Sequence, residues 1–312
     1  MISFDVIFLC ALYFYANGSY QMPVGRNHDI SIAQPTVCKF IESVTDALNR
    51  PEVVGRLIKF PRTQQEVDDT IERNRLMGGR LPNTLGYTDG SLIKIKKPSV
   101  DQNRRAFIGR KNFASVNVLF TCDRRLYIQN VVARHPGSTH DSHIFALSAL
   151  RDQMIHINTN IRNCVLIGDS GFALEPWLIV PFARGDEPEE DTPEARFNKA
   201  LCFDRCHIER AIGCMKERFR AINNERVLHY DPVKACRIVI AITVLHNLCI
   251  LARVPQYVAQ NANNPVVNDE NDHVAAEDDI LARGRLVRNQ MVQQLERMRR
   301  KFKSFLSEKG LS

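Results

Sequence analysis

The stretch Asn163-Cys164-Val165-Leu166-Ile167-Gly168-Asp169-Ser170-Gly171 decides the fold. Its apolar residues run without alternation, as in a strand buried on both faces. A charge follows at once, between two glycines that permit a sharp turn. Open α/β sheets place their sites at the carboxyl ends of strands. Asp169 is therefore a candidate functional acid. The competing reading is a turn aspartate capping the next element.

Upstream, residues 85–95, 114–122 and 126–134 are β-branched and apolar, and Cys122-Asp123-Arg124-Arg125 makes a tight reversal. The second and third of these strands are thus antiparallel neighbours. Helical spacing marks 141–154, 194–222 and 232–252, and 177–182 reads as a further short strand. Strands first, then strand and helix in alternation, predict an α/β fold with a mixed sheet flanked by helices.

The organisation follows. Residues 1–80 form a helical segment, 81–254 the sheet-containing domain, 255–282 an acidic disordered linker and 283–312 a basic helix. Within 1–80, Pro35 sits in the first turn of a helix carrying Val37, Phe40, Ile41, Val44 and Leu48 at helical spacing. This reads as the second half of a helix-turn-helix or as an ordinary amphipathic core helix. Val6 to Ala16 is apolar but too short to span a bilayer, and Asp5 stands where a signal peptide carries positive charge. A buried helix is expected there, with a signal peptide as the alternative, and no membrane partner.

The net charge is +7. Residues 261–282 carry six acids and no Lys or Arg, while 283–312 carry nine basic and two acidic residues. The two nearly cancel, so the body is itself basic, which suits a polyanion such as DNA or is a plain solvated surface. The nine cysteines are scattered and form no CxxC, which argues against a secreted disulfide framework and for the nucleus or the cytoplasm. Cys202, Cys206 and His207 are read as buried side chains rather than a zinc site. Met291, Leu295, Met298, Phe302 and Phe305 make a heptad-like seam on the tail helix. A lone helix is marginal in water, so the seam is expected to dock on a second copy, the catalytic body or a partner, unless the tail is frayed.

Phosphodiester cleavage needs an activated nucleophile and something to absorb charge on the phosphate. Two divalent ions about 4 Å apart supply both, and Mg²⁺ or Mn²⁺ needs only a few carboxylates. Asp89, in Thr88-Asp89-Gly90, lies inside the first strand, where aspartate is disfavoured. A hairpin turn at Asp-Gly is the rival explanation. Glu209 shares a helix face with Gly213, Lys216 and Arg220, about 100° from an apolar stripe of Ile208, Ile212, Met215 and Phe219. That suits a wall facing metal and phosphate, or a solvated face. Asp141, after Pro136-Gly137-Ser138-Thr139-His140, fits helix capping and metal contact equally.

Taken in order, Thr88-Asp89-Gly90, Gly109-Arg110-Lys111, His135 to Asp141, Gly168 to Phe172, Glu209 to Phe219 and Leu245-His246-Asn247 resemble the PIF/Harbinger transposases and their domesticated nuclease relatives. The resemblance covers roughly residues 12–252. It implies an RNase H-like fold, an acid triad of Asp89, Asp169 and Glu209, and Asp141 as a further metal contact. It also implies DNA as substrate and a separate Myb-like DNA-binding partner. Arg110, Lys111, Lys216 and Arg220 are the expected nucleic-acid contacts, the first two from the Gly-Arg-Lys motif. The expected function is metal-dependent DNA cleavage in the nucleus. The alternative is a domesticated, non-cleaving DNA- or protein-binding module. A homo-oligomer is compatible with either.

Overall fold

The computed structural model describes residues 3–18, 20–99, 104–109, 111–182, 188–255 and 278–308, apart from the side chains of 302 and 305–308. Five strands form one sheet: β1 (Thr84–Lys94), β2 (Ser115–Cys122), β3 (Ile128–Pro136), β4 (Val165–Ile167) and β5 (Leu178–Ile179). Their order is β3-β2-β1-β4-β5, with β1, β2 and β3 antiparallel and β4 and β5 parallel to β1. The sheet is therefore mixed, as expected. β2 is buried along its whole length, and β3, at the edge, is half-exposed beyond Gln129.

The hairpin reading of Asp89-Gly90 fails. β1 runs straight through both, pairing Asp89 with Phe120 and Gly90 with Leu119. The reversal instead lies at Asp123, whose carboxylate accepts the Arg125 and Tyr127 amides. The helix expected over 141–154 is two helices, α6 (Asp141–Ala146) and α7 (Ala149–Asn160). Ser148 separates them by capping α7 through the Arg151 amide, since a short hydroxyl side chain suits a helix start.

Of the long helices, α8 (Pro193–Arg218) packs on β1 and β2, and α9 (Pro232–Leu251) on β2 and β3. Among the described residues α9 is the helix long and apolar enough to cross a membrane, yet most of it is buried in the core. His246 and Asn247 are structural. Asn247 takes the Ile128 amide at 2.8 Å and donates to the Ile128 and Leu57 carbonyls, both at 2.7 Å.

The N-terminal helices α1 (Phe4–Asn17), α2 (Gln21–Gly25), α3 (Gln34–Leu48), α4 (Pro51–Leu57) and α5 (Gln64–Leu76) are not a separate body. Cys10, Phe14, Val37, Ile41 and Val67 belong to the same hydrophobic core as the sheet. The stripe on α3 is thus used for core packing, and Glu42 and Asp46 pair with Lys234 and Arg237 of α9.

The last helix, α10 (Asp278–Glu308), begins before the expected boundary at 283; residues 256–277 of the expected linker lie outside the described residues. It docks on the body, against α8 and β5. Among the described side chains, the seam is used at its start. Met291 is buried, Leu295 is half-buried and Met298 is exposed. Leu281 and Val287 extend the contact toward the N-terminus, Arg288 stacks 3.8 Å over Phe182, and Arg196 pairs with Glu296 at 2.7 Å. Phe302 and Phe305 lie outside the described side chains.

Candidate active site

Register assembles the first two acids. Tyr87 of β1 pairs with Ile167 of β4 in parallel, so two residues further on Asp89 and Asp169 stand at the same level of neighbouring strands. Side chains alternate along a strand. Asp89 shares its face with Tyr87, whose ring meets that of His207, so this face looks toward α8. Asp89 is held from its own strand by the Gly90 amide at 2.8 Å. Asp169 turns back on itself, accepting the Gly171 amide at 3.0 Å.

Asp141 approaches β1 at Gly90, the residue beside Asp89, and its charge is felt by Asp89. A Cβ built on Gly90 would come within 2.1 Å of an Asp141 carboxylate oxygen, so the absence of a side chain is what admits this group. Asp141 is the first residue of α6, and its carboxylate accepts Asn117 Nδ2 at 2.6 Å rather than capping the helix. The capping reading is therefore replaced by a contact with β2.

The electrostatics are those of crowded acids. Burial raises Asp89 well above the usual carboxylate range; Asp169 and Asp141 reinforce the shift, and Arg205 and the Gly90 amide oppose it. Burial raises Asp141 to about 6, Asn117 opposing and Asp169 adding. Like charges taken out of water favour the protonated form unless a cation balances them.

Glu209 lies on α8, where it meets Arg205 Nη2 at 2.6 Å. The other end of the same guanidinium stands 3.7 Å from Asp89 Oδ2. Glu209 thus reaches the aspartates through an arginine. Among the described residues no three Asp, Glu, His or Cys groups stand close enough to hold an ion as placed. The chemistry of the donor set nonetheless fits a hard divalent cation: four carboxylates, all oxygen ligands, at least two of them buried and mutually repelling.

Of the expected nucleic-acid contacts, Lys216 is half-buried on α8. Burial lowers it to about 8, with Lys111 adding to the effect and Asp89 opposing it. Lys111 is exposed. Arg220 is exposed and lies 3.8 Å from Glu225. Arg110 lies outside the described residues. Against the buried reading, Cys202 is exposed and Cys206 half-buried; His207 is buried and contacts the Asp204 carbonyl and the Tyr87 and Phe203 rings.

Sequence reasoning missed two residues here. Arg205 was signalled by its spacing, four before Glu209 on one helix. Asn117 was signalled as an amide in the middle of a β-branched strand, where asparagine is depleted.

A mixed sheet with carboxylates gathered at β1 and the end of β4, faced by a glutamate helix, is the frame of a nuclease-like protein. The chain belongs to the DDE superfamily endonuclease family, which matches residues 88–247. Within that family its likeness is to the Harbinger transposase-derived nucleases. It is 30 % identical over 246 residues to the human protein named "Putative nuclease HARBI1", covering 78 % of this chain and 66 % of that one. The Mus musculus protein of the same name is 31 % identical over 251 residues, 80 % of this chain and 68 % of its own. The Arabidopsis thaliana "Protein ALP1-like" is 28 % identical over 206 residues, 62 % of this chain and 48 % of its own. The chain thus spans about two thirds of the length of its animal relatives. No solved structure matches it significantly.

Proposed function

We propose that the chain is a divalent-metal-dependent nuclease that hydrolyses DNA phosphodiester bonds. Asp89, Asp169 and Glu209 are its catalytic acids, and Asp141 is a further metal contact. The observation that carries this is the electrostatic coupling of Asp89 to Asp169 and Asp141: burial and neighbouring like charge raise Asp89 and Asp141 above the usual carboxylate range, and a bound cation would favour their ionised forms. Mg²⁺ or Mn²⁺, as a pair in the two-metal form of the reaction, supplies a nucleophilic water and absorbs charge on the phosphate. The chain's own part is to fix the carboxylates: Asp89 by register, Asp141 by Asn117 and Gly90, Asp169 by its turn.

Lys216, with Lys111, contacts the DNA backbone beside these acids, and Arg110 and Arg220 extend that surface. An RNase H-like description is supported by the strand order, three antiparallel strands followed by two parallel to the first. A helix-turn-helix role for residues 1–80 has less support, since α3 gives its apolar stripe to the core and its acids to α9. Residence in the nucleus rests on the DNA substrate and the basic tail. A Myb-like partner rests on the family resemblance alone.

The test is cleavage of supercoiled DNA by the purified full chain with Mg²⁺ or Mn²⁺, against Asp89→Asn and Asp169→Asn. Each substitution is expected to lower the rate on the order of a thousandfold while leaving the circular dichroism spectrum unchanged. Equal cleavage by Asp169→Asn overturns the assignment. A second reading, a non-cleaving binding module, is favoured by the pairing of Glu209 with Arg205. DNA binding without metal-dependent cleavage in the wild type decides for it.

A further inference from the structure

Arg205 is one turn before Glu209 on α8, and its two terminal nitrogens face different elements. One meets Glu209 at 2.6 Å, the other Asp89 at 3.7 Å on β1. The side chain is only 16 % exposed, so water and salt screen these contacts weakly. Burial works against the guanidinium charge, and Glu209, Asp89 and Asp169 more than restore it. The cation in this position belongs to the protein, and the oxygens it holds belong to two of the three proposed catalytic acids.

We propose that Arg205 is the resident counter-ion of the metal-free site, and that metal loads by exchange, the Arg205 guanidinium leaving Asp89 and Glu209 as the divalent ion takes their oxygens. This rests on the metal-nuclease reading above. The reason is competition. A carboxylate oxygen engaged by a buried guanidinium is not available as a ligand, and buried acids left with no cation repel one another. Arg205 therefore does two opposed things. It stabilises the empty site, and it weakens metal binding by the free energy needed to displace it. Glu209 is turned to this helix neighbour.

The test uses the full chain, with Mn²⁺ binding followed by calorimetry and no DNA present. Wild type is expected to bind Mn²⁺ saturably and Asp169→Asn to lose that binding. Arg205→Met is expected to bind roughly tenfold more tightly and to melt at lower temperature without metal. Arg205→Lys, a single point charge that cannot fork to both acids, is expected to fall between. In protein labelled with ¹⁵N-arginine, the Nε–H resonance missing from Arg205→Lys should shift on Mg²⁺ addition and saturate with binding.

If the wild type binds no Mn²⁺, or Asp169→Asn binds equally well, the metal reading falls and the exchange falls with it. If binding needs Asp169 but the Arg205 resonance is unmoved at Mg²⁺ saturation, the exchange alone is overturned. The same holds if both Arg205 variants bind Mn²⁺ no more tightly than wild type. The resonance is read on wild-type protein, so the result does not depend on Arg205→Met folding.

Discussion

Gly90 and Asp141 show how one atom can decide a site. A Cβ on Gly90 would occupy the space of the Asp141 carboxylate, so Gly90→Ala must expel that group and break its 2.6 Å contact with Asn117. The chain is expected to remain folded at a cost of about 1–3 kcal/mol and to lose most of its metal affinity. Urea unfolding and Mn²⁺ titration together check this. Asp141 also carries a pH signature. Its folded pKa, about 6, lies above the unfolded value near 4, so the folded protein holds more protons between those limits. The stability this gives is complete below about pH 4 and is lost as pH rises through about 6. Metal-free protein should lose up to about 3 kcal/mol across this window from Asp141. Asp89 adds a loss of the same sign. Asp141→Asn should remove the first part, read as a flatter dependence of the urea midpoint on pH in EDTA. An unaltered dependence would count against an ionisable, half-buried Asp141.

At the scale of the element, α8 carries the argument. Asp204 accepts the Arg80 and Leu81 amides and Arg124 Nη1, the last at 2.7 Å, fixing the helix to the entry of β1. One residue later comes Arg205, then Glu209, then Lys216. Asp204→Ala leaves the Arg124 guanidinium buried without its partner, which costs about 3–5 kcal/mol. The measurement is chemical denaturation, and a loss below 1 kcal/mol would show that Arg124 finds another partner. Lys216 should act on DNA as a phosphate contact. Lys216→Ala is expected to lower the slope of log affinity against log salt by about 0.9, with sequence preference unchanged. Because burial brings Lys216 to about 8, this contribution should fade as pH rises above that value. An unchanged salt slope in Lys216→Ala removes it from the DNA surface.

For the whole molecule, the salient finding is that the N-terminal helices, the sheet and the tail helix share one packed body. α10 buries Met291 and Val292 against the body and pairs Glu296 with Arg196. A chain ending at Gln260 should therefore melt several degrees lower, since two buried apolar side chains are worth about 1.5–3 kcal/mol each. Calorimetry checks the stability. Light scattering, DNA affinity and cellular location check whether the tail does more. If only the melting temperature changes, α10 is a structural strap; if mass changes as well, its remaining exposed face joins copies.

Much of this was legible in the sequence because it is local. The apolar run before Asp169 is a buried strand whatever surrounds it. The mixed sheet and the two long helices follow from periodicity, and the order of short motifs identifies the family. What tertiary structure decided is where local signals meet. Asp-Gly at 89–90 is equally a turn or a strand until β2 pairs along it. Asp141 fits a cap or a metal contact equally in the sequence; in the fold its carboxylate is taken by Asn117, a strand away. Ser148 splits one expected helix into two by a single side-chain bond. The α3 stripe reads alike for a recognition helix and a core helix; in the fold Val37 and Ile41 join the shared core. The tail seam names no partner until α8 and β5 receive its first half. In each case the sequence supplies groups able to make either contact with similar local energy. The choice belongs to residues distant in the chain, whose approach only the packed fold provides.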